Sequence, residues 1–195
     1  MMREKKEKKR WGLILFLVVI MLGTSFSVVL YYGFQGQSQS AKYNGIKFAS
    51  SGNFWTADIG GRHAAFAYLP ADVENIPAAN DFSKLLQGKY EIDSTSEVNS
   101  TIKETIAQAQ YQMELTLEEY NIYLRKGFTT NSTFRQVPVI TCANSTQNVP
   151  VIFFSKSNST NINLKGNCIV AEALTNTDVI RVKDRLLYGL LGVMK

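Results

Sequence analysis

Residues that commonly carry catalysis are scarce in this chain of 195 residues. It contains one histidine, His63, two cysteines and four prolines. A single histidine cannot build a metal site by itself. Glycine-rich phosphate loops, zinc-type His/Cys spacing and a nucleophile elbow are also missing from the sequence. We therefore expect no catalytic residue of a known motif, no metal ligand and no cofactor.

Scattered carboxylates keep one enzymatic alternative open. They follow no motif, and they are Asp58, Asp72, Glu74, Asp81 and Asp93. A hydrolase that uses two such groups cannot be recognised from sequence alone. A deep pocket with two carboxylates about 5 to 9.5 Å apart would favour a membrane-tethered envelope hydrolase. A flat apolar patch of several hundred Å² would instead favour a binding role.

Positive charge is concentrated at the start of the chain. The formal net charge is +5, and residues 1–10 hold six Lys or Arg against two Glu. The remainder is nearly balanced, so it lacks the basic face with which nucleic-acid-binding proteins neutralise phosphates. The basic composition therefore indicates membrane topology, and we expect no nucleic-acid partner.

An uncharged apolar stretch, 11–34, follows the basic residues directly. About 20 helical residues cross a hydrocarbon core of ~30 Å, so this stretch predicts a transmembrane helix. The positive-inside rule makes 1–10 a cytoplasmic tail and leaves the C-terminal domain outside the cell membrane. A cleaved secretory signal with its apolar region at 12–22 is the alternative. Apolar residues resume at 28–34, which favours a retained single-pass anchor whose first partner is the lipid bilayer.

The residues after the span predict a short stalk and one folded domain. Residues 35–42 are polar and rich in Gln and Ser, which is typical of a flexible linker. Residues 43–195 are enough for one extracytoplasmic α/β (α+β) domain and too few for two. It begins with a β-meander, because glycine turns separate three short strands at 45–49, 54–59 and 62–69.

Two amphipathic helices are predicted farther along the domain. A short helix at 82–86, a strand at 89–92 and a polar capping segment at 93–96 come first. Apolar residues then recur at spacings of three and four, which predicts a long helix ending at Gly127. A second helix follows the cap at Thr175. The charged side chains expected to face water on this second helix are Arg181, Lys183, Asp184 and Arg185.

The segments between these helices favour a mixed sheet. Runs rich in β-branched residues predict strands at 137–142, 149–154, 161–164 and 168–173. A strand, a helix and another strand in succession favour a right-handed crossover. Both amphipathic helices are then expected to cover this sheet.

Cys142 and Cys168 are the only cysteines, and outside the cytoplasm they are expected to form a disulfide. The bridge requires Cα atoms within about 7 Å. This distance is reached only if a strand at 161–164 carries the chain back before Cys168, so the bridge and that strand depend on each other. Free buried thiols and a redox role are the alternatives, although no Cys-x-x-Cys sequence is present.

Four Asn-Ser-Thr sequons mark candidate glycosylation sites at Asn99, Asn131, Asn144 and Asn158. Three lie in predicted loops, as acceptor asparagines should. Asn99 lies near a predicted helix start, where it could instead be buried or act as a cap. Ordinary turn asparagines are the alternative for all four.

The last third of the chain resembles a group of small membrane-anchored archaeal proteins. The resemblance rests on the segments 138–146, 149–154, 166–170 and 184–189, and it covers the meander poorly. It implies an external domain in an envelope where Asn-glycosylation operates, and it implies no activity. Together these observations predict a non-catalytic binding, scaffolding or assembly module of the envelope, with an envelope protein or a glycan as partner.

Overall fold

The computed structural model describes residues 15–21, 39–132 and 136–194. The chain separates into two units, Met1–Ser38 and Gln39–Lys195. In the first unit, residues 15–21 are helical. The predicted tail 1–10, the rest of the predicted span 11–34 and the first half of the predicted stalk, 35–38, lie outside the described residues. Among the residues that are described, no helix is both long and apolar enough to cross a membrane.

The second unit is an α+β domain with two sheets. A four-stranded sheet comes first, and a five-stranded sheet with most of the helices follows it. The elements, in chain order, are β1 (Ser40–Tyr43), β2 (Ile46–Ser51), β3 (Phe54–Ile59), β4 (Arg62–Phe66), α1 (Pro70–Val73), α2 (Phe82–Leu86), β5 (Glu91–Ser96), α3 (Lys103–Glu119), β6 (Tyr123–Phe128), a 3-10 turn (Cys142–Asn144), β7 (Val151–Lys156), β8 (Asn161–Lys165), β9 (Cys168–Ala173) and α4 (Asn176–Leu190).

The first sheet is an antiparallel meander in the order β1-β2-β3-β4. The predicted meander is confirmed, with one strand more than expected. Strand β1 begins at Ser40, inside the predicted stalk, and Ser40 pairs with Ala49 of β2. Asn44 and Gly45 form the turn between them with φ of 47° and 83°, a backbone conformation that Asn and Gly tolerate best.

The second sheet has the order β6-β5-β7-β9-β8. Strands β5, β6, β7 and β9 are parallel, and the edge strand β8 is antiparallel to β9. The predicted mixed sheet is therefore confirmed. Helix α3 connects the parallel neighbours β5 and β6, and it packs with α4 on the same sheet.

The long helix ends earlier than the sequence predicts. Helix α3 stops at Glu119, and Tyr123–Phe128 forms β6 instead of two further helical turns. Asn121 adopts a φ of 56°, which ends the helix. The apolar spacing of the helix extends to Leu124 in the sequence because Leu124 is also buried, although it belongs to strand β6.

Helix α4 lies inside the domain and carries its charged side chains there. Val182, Leu186 and Leu187 are buried as predicted. Lys183, Asp184 and Arg185 are only 1%, 0% and 6% exposed, so the prediction that they face water is wrong. The physical reason is that α4 contacts α1, α2, α3 and β9, which leaves it little solvent-facing surface.

The predicted disulfide is confirmed, and it fixes a segment across the outer face of the second sheet. Cys142 and Cys168 are bonded with a Cα–Cα distance of 5.2 Å. The supporting strand β8 is present, and it brings β9 back parallel to β7. Residues 137–142 do not form the predicted strand, because this segment makes only an isolated bridge at Val139. Ile140 packs there in a small second core with Val151 and Cys168.

Candidate functional site

A cleft lies at the carboxyl ends of β5 and β6. These parallel neighbours end together, with Ser96 paired to Phe128, and helix α3 begins at the same edge. The cleft has a volume of about 430 Å³. Its lining residues come from the ends of both strands, the loop between β5 and α3, the first turns of α3 and the loop after β6. They are Ser96, Val98, Asn99, Lys103, Glu104, Ala107, Gln110, Lys126, Gly127, Phe128, Ser132 and Val137.

The connections of β5 make this edge a favourable place for a ligand. Strand β5 is an interior strand, and the chain leaves it through α3 to reach β6 on one side. The next parallel neighbour, β7, lies on its other side. Ligands of open α/β sheets bind outside the carboxyl ends of the strands at such a reversal of strand order.

Two residues that line the cleft, Ser96 and Gln110, are polar and buried, and Ser94 is a hydrogen-bond partner of Gln110. Ser94 and Ser96 of β5 are almost fully buried, and Gln110 of α3 is 8% exposed. The amide Nε2 of Gln110 donates a hydrogen bond of 2.9 Å to Oγ of Ser94. Buried polar groups need such partners to offset the loss of water. The result is a polar wall inside an otherwise apolar sheet and helix interface.

Charged groups surround the mouth of the cleft. Lys103 and Glu104 belong to the first turn of α3, and both are exposed. Lys126 forms an ion pair of 2.6 Å with Glu114, so its charge is balanced. Helix α3 begins without a side-chain cap, because Ile102 occupies the N-cap position. A helix N-terminus with a nearby lysine attracts an anionic group.

This site was missed from sequence, although a signal for it was present. The sequence predicts the polar run Ser94-Thr95-Ser96 to be part of a helix cap at 93–96. The structure places all three residues in β5 and buries them. A buried strand that ends in small polar residues and is followed by a helix is the pattern of a carboxyl-edge site. Ser96 lines the cleft, whereas Ser94 and Thr95 form hydrogen bonds with Gln110 and Ile140 inside the domain.

The carboxylates named in the sequence have separate partners. Asp93 is buried and accepts two hydrogen bonds from Arg125, at 2.7 and 2.8 Å. The other pairs are His63–Asp58, Leu69–Asp72, Tyr43–Glu74 and Lys84–Asp81. His63 is thereby placed in an exposed pair at 2.9 Å. Three pockets of the described domain are lined by at most one carboxylate each.

One Ser-x-x-Lys sequence, Ser100 to Lys103, also lies at this edge. This spacing occurs in penicillin-binding enzymes, where the serine is the nucleophile. Ser100 is buried, and its hydroxyl accepts a long hydrogen bond of 3.4 Å from the N–H of Ile102. Among the hydrogen bonds of the described residues, none joins Ser100 to Lys103. The geometry therefore gives no activated nucleophile here.

All four predicted acceptor asparagines are exposed in the structure. Asn99, Asn131 and Asn158 follow β5, β6 and β7 in the chain, so they lie at the carboxyl edge of the parallel strands. Asn144 lies before β7, close to the disulfide. Their modification remains a prediction.

Neither a search for metal-binding groups nor comparison with known proteins assigns a function to the cleft. Within the described ranges, no group of three or more His, Cys, Asp or Glu side chains is placed to hold a metal ion. Comparisons with protein-family models, curated proteins and solved structures found no match for the chain.

Proposed function

We propose that this protein is a single-pass envelope protein whose domain lies outside the cell membrane and binds a ligand without transforming it. The placement is supported by the basic residues 1–10 and the apolar stretch 11–34. The described part of that stretch, 15–21, is helical, and all seven of its residues are apolar and exposed. Lipid is the environment that suits such a surface.

The cleft is the observation that carries the binding role. Its polar wall offers hydrogen bonds, its apolar lining offers contact area, and its mouth offers Lys103 and the start of α3. Small-molecule sites commonly combine these features. The ligand that this chemistry favours is a small polar molecule bearing an anionic group, such as a carboxylate or a phosphate.

A membrane-tethered hydrolase is the second candidate, and the pockets favour it less. The cleft contains one lining carboxylate, Glu104, where a two-carboxylate mechanism needs a pair. His63 lies on the meander, where its ring is hydrogen-bonded to Asp58, and it is not one of the residues that line the cleft. Among the described lining residues, the cleft therefore has groups that can hold a ligand but no second carboxylate to form an acid–base pair with Glu104.

Binding can be tested on the purified full-length protein in detergent micelles. Inorganic phosphate and citrate are suitable probes, and calorimetric titration measures their affinities. Lys103→Glu reverses the charge at the mouth of the cleft. Lys165→Glu is the matched control, because Lys165 is an exposed lysine at the end of β8.

The expected result is saturable binding of at least one anion, weakened at least about tenfold by Lys103→Glu, which corresponds to roughly 1.4 kcal/mol. Lys165→Glu should leave the affinity unchanged. Equal loss in both variants would indicate a general charge effect, and binding that survives Lys103→Glu would contradict the cleft as the site.

A further inference from the structure

We propose that Asn99 is an N-glycosylation site whose saccharide stands at the mouth of the cleft. The proposal rests on the outward placement of the domain, which is part of the proposed function. It does not depend on the identity of the ligand. Asn99 itself contributes to the lining of the cleft, so a group attached to its side chain lies at the entrance.

The turn before α3 presents this asparagine to solvent. The N–H of Ser100 donates to the carbonyl of Glu97 at 3.3 Å, which places Asn99 within an exposed turn. The helix begins only at Lys103, and Ile102 takes the N-cap position. Asn99 is therefore neither buried nor used as the cap, which were the alternatives to an acceptor site at this position. Thr101, the third residue of the sequon, is exposed as well.

The sequon at Asn144 has a different environment. Oδ1 of Asn144 accepts hydrogen bonds from the N–H and the hydroxyl of Thr141, at 2.8 and 2.9 Å. The hydroxyl of Ser145 accepts from the N–H of Val151, and that of Thr146 accepts from the N–H of Val149. Cys142 anchors the same turn through the disulfide. The side-chain amide of Asn144 is therefore engaged by Thr141. Buried Ser100 holds the backbone of the other sequon as well, but among the hydrogen bonds of the described residues none involves the side chain of Asn99. We therefore expect the folded domain to accept sugar at Asn99 and not at Asn144.

The modification is a glycosyl transfer from a lipid-linked saccharide phosphate. A bond forms between Nδ2 of Asn99 and the anomeric carbon of the sugar, and the bond from that carbon to the phosphate oxygen breaks. The lipid phosphate leaves with the electron pair, and Nδ2 loses one proton to a base of the transferase. The amide becomes a glycosylamide, and no oxidation or reduction takes place.

Two substitutions of Thr101 distinguish an effect of the missing sugar from an effect on folding. Thr101→Ala destroys the sequon, whereas Thr101→Ser retains it, and both change an exposed side chain. The protein is purified from membranes of the cells that naturally produce it, and the mass of the tryptic peptide 90–103 is measured by mass spectrometry. The wild type and Thr101→Ser should show a saccharide on this peptide, and Thr101→Ala should lose it. The peptide carrying Asn144 should have its unmodified mass.

Covering of the cleft is measured by amine labelling of Lys103, with Lys165 as the remote control. Lys103 should react several-fold more slowly in the glycosylated protein than in Thr101→Ala, while Lys165 reacts equally in both. Equal rates at Lys103 would overturn the covering role, and an unmodified peptide 90–103 in a domain open to external protease would overturn the site. A domain protected from external protease would overturn this proposal together with the outward placement.

Discussion

Asp184 of α4 accepts a hydrogen bond of 2.9 Å from the backbone N–H of Tyr68, the second residue after β4. The same carboxylate oxygen accepts the N–H of Ala67, also at 2.9 Å. Tyr188, one turn later, donates its hydroxyl to the carbonyl of Tyr68 at 2.6 Å. Helix α4 thus fixes the end of the meander. Burial raises the pKa of Asp184, and the ammonium of Lys183 and the two N–H groups oppose that shift.

Removal of this carboxylate should be strongly destabilising. Asp184→Ala leaves two backbone N–H groups without their acceptor and the buried Lys183 without its counter-ion. Breaking a buried pair in this way costs about 3–5 kcal/mol of unfolding free energy. Urea unfolding of the full-length protein measures it.

Asp81→Ala is the matched control for Asp184→Ala. Asp81 pairs with Lys84 on an exposed surface, so its loss should cost at most about 1 kcal/mol. Similar losses for the two variants would show that the network around Tyr68 contributes little to stability.

Asp178 should make stability depend on pH. Burial raises the pKa of Asp178, but hydrogen bonds from Thr175 and Arg181 outweigh burial, so the pKa lies below its usual value. The stabilisation is therefore present above the unfolded pKa of about 3.9 and is lost as pH falls through the folded value. The stability difference between wild type and Asp178→Asn should shrink from pH 6 to pH 3 in urea titrations. A difference that is constant over this range would contradict the assignment.

The disulfide should contribute roughly 3.5 kcal/mol, because it closes a loop with a sequence separation of 26 residues. Replacement of both Cys142 and Cys168 by Ala should lower the unfolding free energy by about this amount. It should also speed hydrogen exchange at the N–H of Ile140, which donates to the carbonyl of Phe128 at 2.8 Å. Unchanged exchange at Ile140 would mean that the segment 137–142 holds its place without the bridge.

Any side chain at Gly127 should destabilise the domain. A Cβ atom there would lie 2.5 Å from the carbonyl oxygen of Pro138 and 2.8 Å from the side chain of Ile140. Gly127→Ala is expected to cost about 1–3 kcal/mol through overpacking. Adding Ile140→Val should restore little, because the carbonyl of Pro138 remains in the way. Full recovery in the double variant would place the conflict at Ile140 alone.

Sequence patterns within or between a few segments correctly predicted the meander, the buried face of α3 and strand β8. The glycine turns predicted the meander, and the spacing of Ile106, Ala109 and Met113 predicted the buried face of α3. The cysteine pair predicted β8, because only a returning strand brings Cys168 beside the turn at Cys142. The meander and the buried face of α3 each followed from one continuous segment, whereas β8 followed from a covalent constraint between two residues 26 positions apart.

Features that depend on the whole domain could not be predicted in this way. Lys183 and Asp184 look like surface residues of an amphipathic helix, and their burial follows only from the elements that surround α4. The end of α3 was placed too late because Leu124 fits a helical and a strand pattern equally well. The polar end of β5 indicates a site at the carboxyl edge, but the walls of the cleft depend on the parallel pairing of β5 with β6, which the segment 94–96 alone does not specify.

The outward placement of the domain is the central claim, and protease treatment of intact cells tests it most directly. Protease added outside should remove residues from the domain 43–195 and leave an N-terminal fragment in the membrane fraction, as mass spectrometry of both fractions would show. Degradation only after the cells are permeabilised would contradict the account, because it would place the domain and its cleft on the cytoplasmic side.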